Sequence, residues 1–217
     1  MEHIRAFVQE VAKSFLFQEP IIEIGAYLVE GQQELADMRP FFPEKKYIGC
    51  DLRMGPGVDR IEDIQKLSFT TSSVNSLLVL ETLEHVVNPF KAFEEMYRVL
   101  TPKGLLFLSV PFCLPIHEFP SDYWRFTPCC IDMLLRKFHR FICWENSERK
   151  PAQAKHLPRT IFAVASKLKL PQDGIEILKR YIAEMDFHVM PEKKTTINNL
   201  KTEDVAKKVT AEKRKFK

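Results

Sequence analysis

The sequence predicts an α/β protein built on a doubly wound, mostly parallel sheet. Short apolar segments that suit buried strands alternate with amphipathic segments that suit helices, through about residue 140. The segment 76–80 is apolar throughout, which is typical of a parallel strand covered by helices on both faces. Ligands of such sheets bind outside the carboxyl ends of the strands, so the residues that follow each strand are the candidates for a site.

The individual elements follow from these patterns. The predicted strands cover residues 21–25, 47–51, 58–61, 76–80, 105–110, 141–144 and 161–165. The predicted helices cover residues 1–16, 31–38, 88–100, 128–139, 171–186 and 200–213. The helix after the fourth strand is the clearest, because Asn88 can cap it, Pro89 suits its first turn and Gly104 follows its end.

Composition indicates a globular protein and excludes several classes. The 217 residues are 45% hydrophobic and 28% charged, and no apolar run reaches the length of a membrane helix. The first residues lack the features of a secretory signal. The five cysteines are an odd number without CxxC spacing, which argues against a disulfide framework and a zinc site. We therefore expect a cytoplasmic protein without a metal.

The positive charge is concentrated at the end of the chain. Residues 192–217 carry a net charge of +5, although the whole chain carries only +3. The body is thus close to neutral, and a basic tail of this kind is usually solvated. We expect residues 187–217 to be dispensable for the fold and for ligand binding, and we expect no nucleic-acid partner. The oligomeric state is left open.

Four strand ends carry residues suited to a nucleoside ligand. Gly25 closes the first strand and lets the chain turn tightly, so that a ligand can approach the backbone. Asp51 closes the second strand, and its carboxylate can accept from both hydroxyls of a ribose. Asp63 follows the third strand, beside the apolar Ile64, and can accept from an amine of adenine. Glu81 follows the fourth strand, over the centre of the predicted cleft.

Taken in order, the segments IIEIGAYLVEGQ, YIGCDLR, EDIQKLSF and LVLETLEHVVNPFKAFEEMYRVLTPKGLLFLSVP resemble class I S-adenosylmethionine (SAM)-dependent methyltransferases of type 11. The most specific part is the Leu-Glu-His, the aromatic helix and the RVL-x-P-x-G ending. The resemblance covers residues 18–168, between an N-terminal helix at 1–17 and a helical extension with a basic tail at 169–217. It implies an enzyme with SAM as cofactor and a Rossmann-like, seven-stranded sheet.

The resemblance also assigns cofactor contacts. Glu23 and Gly25 would lie beside the methionine part of SAM, and Asp51 would bind the ribose hydroxyls. Asp63 would meet the adenine amine, with Ile64 against the ring. The main chain around Glu81 would contact the methionine amino group.

The loop after the fifth predicted strand suits an acceptor pocket and lid. Residues 110–128 hold four prolines and many aromatic side chains, too polar for a core strand and too aromatic for a plain solvated loop. His117 and His85 are the candidate catalytic bases, because histidine titrates near neutral pH. Tyr123, Trp124 and Arg125 are candidates for binding the acceptor; alternatively, the aromatic side chains pack the loop and Arg125 pairs with a nearby acid.

The segment PIHEFPSDYWRFTP resembles a subset of type 11 enzymes associated with modification of surface glycans or other small molecules. The leading hypothesis is therefore methyl transfer to oxygen or nitrogen of a small-molecule or glycan acceptor. A second hypothesis is a non-catalytic module that binds SAM or a nucleotide. It rests on the turn after Gly25, which places bulky Tyr27 and Leu28 where the family usually has G-x-G-x-G.

Two further hypotheses are weaker. A nicotinamide dehydrogenase lacks support, because the G-x-G-x-x-G motif is missing. A nucleic-acid methyltransferase would use the basic tail, but the near-neutral body and the absence of an N-P-P-Y-like motif argue against it.

Overall fold

The computed structural model describes residues 1–117, 121–147, 157–185 and 187–191. Its helices are α1 (Glu2–Ser14), α2 (Gln33–Ala36), α3 (Pro89–Val99), α4 (Pro128–Leu134) and α5 (Gln172–Ala183). Its strands are β1 (Ile21–Ile24), β2 (Tyr47–Asp51), β3 (Arg60–Ile61), β4 (Val74–Leu80), β5 (Leu100–Pro111), β6 (His139–Asn146), β7 (Pro158–Ser166) and β8 (Phe187–Val189). Short 3-10 helices lie at Arg39–Phe41 and Leu83–His85.

The strands form one sheet in the order β3-β2-β1-β4-β5-β7-β6-β8. The pairs among β1 to β5 are parallel, whereas β7 is antiparallel to both β5 and β6. The predicted mostly parallel, doubly wound sheet is confirmed. The antiparallel β7, inserted between β5 and β6, distinguishes the sheet from the 3-2-1-4-5-6 order of dinucleotide-binding dehydrogenases, which argues further against that hypothesis.

Helices cover both faces of the sheet, and each face has its own apolar core. Helices α3 and α4 pack on one face, where the buried side chains include Phe93, Met96 and Ile131. Helices α1 and α5 pack on the other, and there the Phe7 ring stacks on Phe162 of β7 with 4.2 Å between ring centroids. The segments predicted to flank the domain thus supply half of its helical cover.

Helix α3 begins where the sequence predicts it. The Asn88 side chain accepts a hydrogen bond from the backbone N–H of Lys91, and Pro89 occupies the first turn. The helix ends at Val99, and the chain enters β5 directly, five residues earlier than predicted. Helix α4 is shorter than predicted and ends at Leu134.

Strand β8 is an eighth strand beyond the seven predicted. Residues Phe187–Val189 pair antiparallel with β6, and Phe187 packs on the rings of Phe7 and Phe162. The expectation that the chain is dispensable from residue 187 onward is therefore wrong for this strand. Residues 192–217, including the predicted helix at 200–213, lie outside the described residues.

Two sequence expectations concern membrane-spanning helices and disulfide bonds. Within the described residues, no helix is long and apolar enough to cross a membrane. All five cysteines lie in described parts of the chain, and none of them forms a disulfide.

We predict that Phe187→Ala lowers the free energy of unfolding by about 1–3 kcal/mol, because it removes a ring that fills the space between α1 and the sheet. Val189→Ala on the same strand is the matched control, since Val189 is exposed and should cost less than about 0.5 kcal/mol. Urea denaturation measures both. Equal effects would show that Phe187 does not pack in the core.

Candidate functional site

The register of the parallel strands brings the predicted cofactor residues to one edge of the sheet. Ile24 pairs with Cys50 of β2 and with Val79 of β4, so β1, β2 and β4 end at nearly the same level. The backbone N–H groups of Gly25 and Ala26 both donate to the Cys50 carbonyl, at 2.8 and 3.0 Å. The chain therefore turns immediately after β1, beside the end of β2.

Asp51 and Asp63 both present carboxylate oxygens at this edge. Asp51 accepts from the backbone N–H of Arg53 at 3.1 Å and, weakly, from that of Tyr27 at 3.4 Å. Asp63 accepts from the backbone and side chain of Gln65, in both cases through Oδ1. Since an ionised carboxylate offers about four lone-pair positions, both groups keep capacity for a ribose or an amine, and they fit SAM.

The bulky turn after Gly25 is accommodated by glycines in the facing loop. The Tyr27 ring lies against Gly55, where a Cβ atom would overlap the ring, and the Arg53 guanidinium lies over the same ring, 4.0 Å from its centroid. A Cβ atom on Gly57 would lie 2.6 Å from Cγ of Leu28. The turn thus directs its large side chains at the loop after β2, which suits a backbone that approaches a ligand.

Gly25 is required for two reasons. Its φ of +87° belongs to the left-handed region that other residues rarely adopt, and a Cβ atom there would overlap the Thr82 hydroxyl. Thr82 is itself fixed, because its hydroxyl donates to the carbonyl of Leu80 at 2.8 Å. The first and fourth strand ends are therefore packed directly against each other.

Glu23 lies on the opposite side of β1 from Ile22 and Ile24, in a buried position. Its carboxyl accepts a hydrogen bond from the Tyr47 hydroxyl at 2.7 Å. Burial raises the pKa of Glu23 to about 7, although the bond from Tyr47 opposes the rise. Ile64, predicted to cover the adenine ring, is 4% exposed and packs within the core of the α3 face.

Glu81 links the ends of β4 and β5. It adopts a φ of +44°, its backbone N–H donates to the carbonyl of Ser109, and its carboxylate accepts from the Ser109 hydroxyl at 2.8 Å. Burial raises the pKa of Glu81 to about 7. The turn at Glu81 directs the chain into the 3-10 helix Leu83–His85 above the strand ends.

The two candidate bases lie together, and Glu84 lies between them. The rings of His85 and His117 meet edge to face with 4.9 Å between centroids. The Glu84 Oε1 atom is 3.8 Å from Nε2 of His85 and 4.0 Å from Nε2 of His117. Glu84 is fully buried, and neither of its carboxylate oxygens has a hydrogen-bond partner among the described residues. Burial raises the pKa of Glu84 well above its usual value, and the neighbouring Glu81 adds to the rise.

The Nδ1 atom of each imidazole faces an acceptor on the other side of the ring. His85 Nδ1 lies 2.9 Å from the carbonyl of Ser121. His117 Nδ1 lies 3.3 Å from the carbonyl oxygen of Pro115 and 3.2 Å from Oδ2 of Asp122, whose side chain is only 1% exposed. A proton on each Nδ1 satisfies these acceptors and leaves the Nε2 lone pair of each ring directed towards Glu84.

Hydrogen bonds join the loop after β5 to the 3-10 helix. The carbonyl of Glu84 accepts from the backbone N–H groups of Tyr123 and Trp124 at 2.8 and 3.2 Å. The indole N–H of Trp124 donates to the carbonyl of Val86 at 2.8 Å. Tyr123 and Trp124 remain 50% and 37% exposed, so their rings are accessible to an acceptor.

Arg125 holds the loop in shape. Its two Nη atoms donate to the two oxygens of Asp122 at 2.5 and 2.7 Å, which keeps the pKa of Asp122 well below its usual range. The guanidinium also donates to the carbonyls of Leu114, Pro115 and Trp124. Its hydrogen-bonding capacity is thus used within the loop, which favours the ion-pairing role that the sequence left open over contact with the acceptor.

A cleft lies next to this loop at the same edge of the sheet. It has a volume of about 330 Å³ and is lined by Phe112, Cys113, Leu114, Pro115 and Leu157. The backbone N–H groups of Phe112 and Cys113 donate to the carbonyl of Arg159, which fixes the loop along the beginning of β7.

Sequence reasoning did not assign roles to Glu84 and Asp122. Both lie in segments that the sequence singled out, but their importance depends on burial, since Glu84 is enclosed and the Asp122 side chain nearly so. The available signal was the pair of acids before His85 and the acid preceding the aromatic stretch.

A sheet of this order, with polar residues gathered at the carboxyl ends of β1, β2 and β4, defines a class I methyltransferase fold. Residues 33–108 match the methyltransferase domain family, in its type 11 form. This match covers about a third of the chain, and it supports the predicted SAM-dependent methyltransferase. No curated protein matches the chain in sequence.

Solved structures agree in fold at low sequence identity. A SAM-dependent methyltransferase from Thermotoga maritima superposes with a TM-score of 0.55 and 18% identity over 76% of this chain and 89% of its own. A SAM-dependent methyltransferase from Archaeoglobus fulgidus gives 0.57 and 12% identity over 76% and 94%. The methyltransferase CalH, solved with S-adenosylhomocysteine, gives 0.50 and 15% identity over 75% and 55%.

We predict that Glu23→Gln stabilises the protein without ligand at pH 8 by roughly 1–3 kcal/mol and has little effect at pH 5. The folded state holds the Glu23 proton up to about pH 7, whereas the unfolded chain releases it near pH 4.5. The stability that protonated Glu23 contributes is therefore lost as pH rises from 4.5 through 7. Glutamine stays neutral and keeps an acceptor for Tyr47.

Urea denaturation at the two pH values measures this difference. Glu94→Gln on the exposed face of α3 is the control and should show no such dependence on pH. A Glu23→Gln variant that is less stable than the wild type at pH 8 would contradict the argument.

Proposed function

We propose that this methyltransferase acts on an oxygen or nitrogen atom of a small-molecule or glycan acceptor that binds over Glu84, His85 and His117. The observation that carries the proposal is the meeting of the two imidazoles, with 4.9 Å between their centroids, at the sheet edge that also holds Asp51 and Glu81. The exposed rings of Tyr123 and Trp124 border this position and offer flat apolar faces of the kind that bind sugars and aromatic compounds.

SAM would supply an electrophilic methyl group on its sulfonium: the acceptor's lone pair would form the new bond to carbon while the carbon–sulfur bond breaks, and S-adenosylhomocysteine would leave with that electron pair. We assign the binding of SAM to Gly25, Asp51, Asp63 and the main chain at Glu81, with Glu23 and Ile64 supporting the strand ends from within. The Asp51 carboxylate would accept from the ribose hydroxyls, and Asp63 would accept from the adenine amine.

The remaining task of the protein is to position the acceptor and remove its proton. The Nε2 atoms of His85 and His117 are the candidates for accepting that proton, because the Nδ1 atoms already face Ser121 and Asp122. The loop that carries His117 also covers the edge, which would keep water away from the sulfonium.

We predict that Asp51→Ala weakens SAM binding by roughly 1–3 kcal/mol, because the ribose hydroxyls lose a charged acceptor. Isothermal titration calorimetry with SAM and S-adenosylhomocysteine measures the change. Glu94→Ala, which alters an exposed acid on α3, is the control. Absence of SAM binding by the wild type at millimolar ligand would overturn the assigned cofactor site.

We predict that His117→Ala lowers methyl transfer by roughly 10²- to 10⁴-fold while SAM affinity stays nearly constant. The assay follows labelled methyl groups from SAM into fractions of a cell extract, and His139→Ala, on the exposed start of β6, serves as the control. Label in the small-molecule or glycan fraction supports the proposal. Label in protein or nucleic acid alone, or in no fraction, contradicts it.

A further inference from the structure

We propose that Glu84, His85 and His117 form a binding site for one divalent transition-metal cation. One ligand atom from each residue lies within 4.8 Å of the other two. The two distances from the carboxylate to Nε2, 3.8 and 4.0 Å, are too long for hydrogen bonds. Ligands at about 2.1 Å from a tetrahedral ion lie about 3.4 Å apart, so the two measured distances would each shorten by about half an ångström on binding.

The Glu84 carboxylate is the strongest sign of a missing partner. It is fully buried, and neither oxygen has a hydrogen-bond partner among the described residues. A buried carboxylate without hydrogen bonds is costly, and natural proteins pair such a group or place it against a metal. The two imidazoles that face Glu84 are partly exposed, so a cation could reach the space between the three side chains from solvent.

The outer contacts of the two imidazoles are those of metal ligands. Histidines that bind a metal usually donate their second N–H to a carbonyl or a carboxylate, which fixes the tautomer and the ring orientation. His85 faces the carbonyl of Ser121 in this way, and His117 faces the carbonyl of Pro115 and the carboxylate of Asp122. Without a cation, the same tautomers direct two nitrogen lone pairs at a carboxylate.

The local charge also favours a divalent cation. Three carboxylates, Glu81, Glu84 and Asp122, interact electrostatically within this cluster, and Arg125 is the arginine that faces all of them. Arg125 is bound bidentately to Asp122, so its charge is largely committed to that partner. A cation between the imidazoles would therefore meet acids that Arg125 does not pair.

The ligand types indicate which cation. Two imidazole nitrogens and one carboxylate oxygen, with open positions on one side, suit Mn²⁺, Fe²⁺, Co²⁺ or Zn²⁺ better than Mg²⁺ or Ca²⁺, which prefer oxygen ligands. If the proposed acceptor chemistry holds, the open positions would receive an acceptor hydroxyl, and the cation would make that hydroxyl easier to deprotonate. His85 and His117 would then hold the cation through Nε2 and promote deprotonation through it, in place of accepting the proton themselves.

The test is binding of Mn²⁺ to the metal-free full-length protein, followed by the loss of the free-ion electron paramagnetic resonance signal. We expect one equivalent to bind to the wild type and to His139→Ala. Glu84→Gln and His117→Ala should each weaken binding at least about 10-fold, the scale on which even supporting contacts of metal ligands act. Pulsed spectra of the bound ion should show histidine nitrogen coupling that weakens in His117→Ala.

Circular dichroism confirms that each variant is folded, and two independent variants keep the test decisive if one of them fails to fold. Wild-type binding weaker than millimolar, or binding that both substitutions leave unchanged, would overturn the proposal. The measurement uses neither SAM nor acceptor, so failure of the metal site leaves the methyl-transfer assay and the Asp51→Ala titration as separate tests of the proposed function.

Discussion

The parallel register of β1, β2, β4 and β5 is the constraint on which the site depends. Ile24 lies beside both Cys50 and Val79, and Leu80 lies beside Ser109, so the loops that follow the four strands begin at one edge of the sheet. A slip of one residue in any strand would exchange its two faces, and the buried side chains on both faces oppose it. Because the strands themselves are filled with apolar residues, the chemistry has to begin where they end.

The antiparallel strand β7 extends this edge towards the acceptor side. It begins where β5 ends, and the Arg159 carbonyl near its start holds the backbone of Phe112 and Cys113. The loop then closes on itself through the Asp122–Arg125 pair and returns to the 3-10 helix through Tyr123 and Trp124. The loop after β5 is therefore anchored on both sides of the proposed site by backbone hydrogen bonds, which do not depend on the loop's sequence.

Much of the fold could be predicted because its signals are local. Neighbouring residues alone predict the capped start of α3 and the apolar strand β4. The acids at the ends of β2 and β3 are identified once those strands are predicted. Strand β8 could not be found in this way, since three residues carry too little pattern and its place depends on pairing with β6. In the sequence, nothing indicates what Phe187 packs against. Its ring partners, Phe7 of α1 and Phe162 of β7, are known only from the structure.

The site likewise combines residues with a local sequence signal and residues that only the folded structure brings together. Gly25, Asp51 and Glu81 were accessible to sequence reasoning because each ends a strand. The proposed metal-ligand set was not, because His85 and His117 lie on separate loops that the neighbouring strands β4 and β5 bring together. The burial of Glu84 depends on the course of the chain after β4, where Glu81 adopts a positive φ, and a glutamate gives no sequence signal for that conformation.

Glu84 shows how the fold and the chemistry oppose each other. Its backbone carbonyl joins the two loops through Tyr123 and Trp124, whereas its side chain places an unsatisfied carboxylate in the interior. The first contact stabilises the loops and the second costs free energy, because a buried carboxylate loses its hydration. An apolar side chain at this position would keep the backbone contacts and remove the cost. Functional sites are expected to hold arrangements that stability alone would not favour. The buried Glu84 carboxylate is one, and it lies where the strand ends meet the loop after β5.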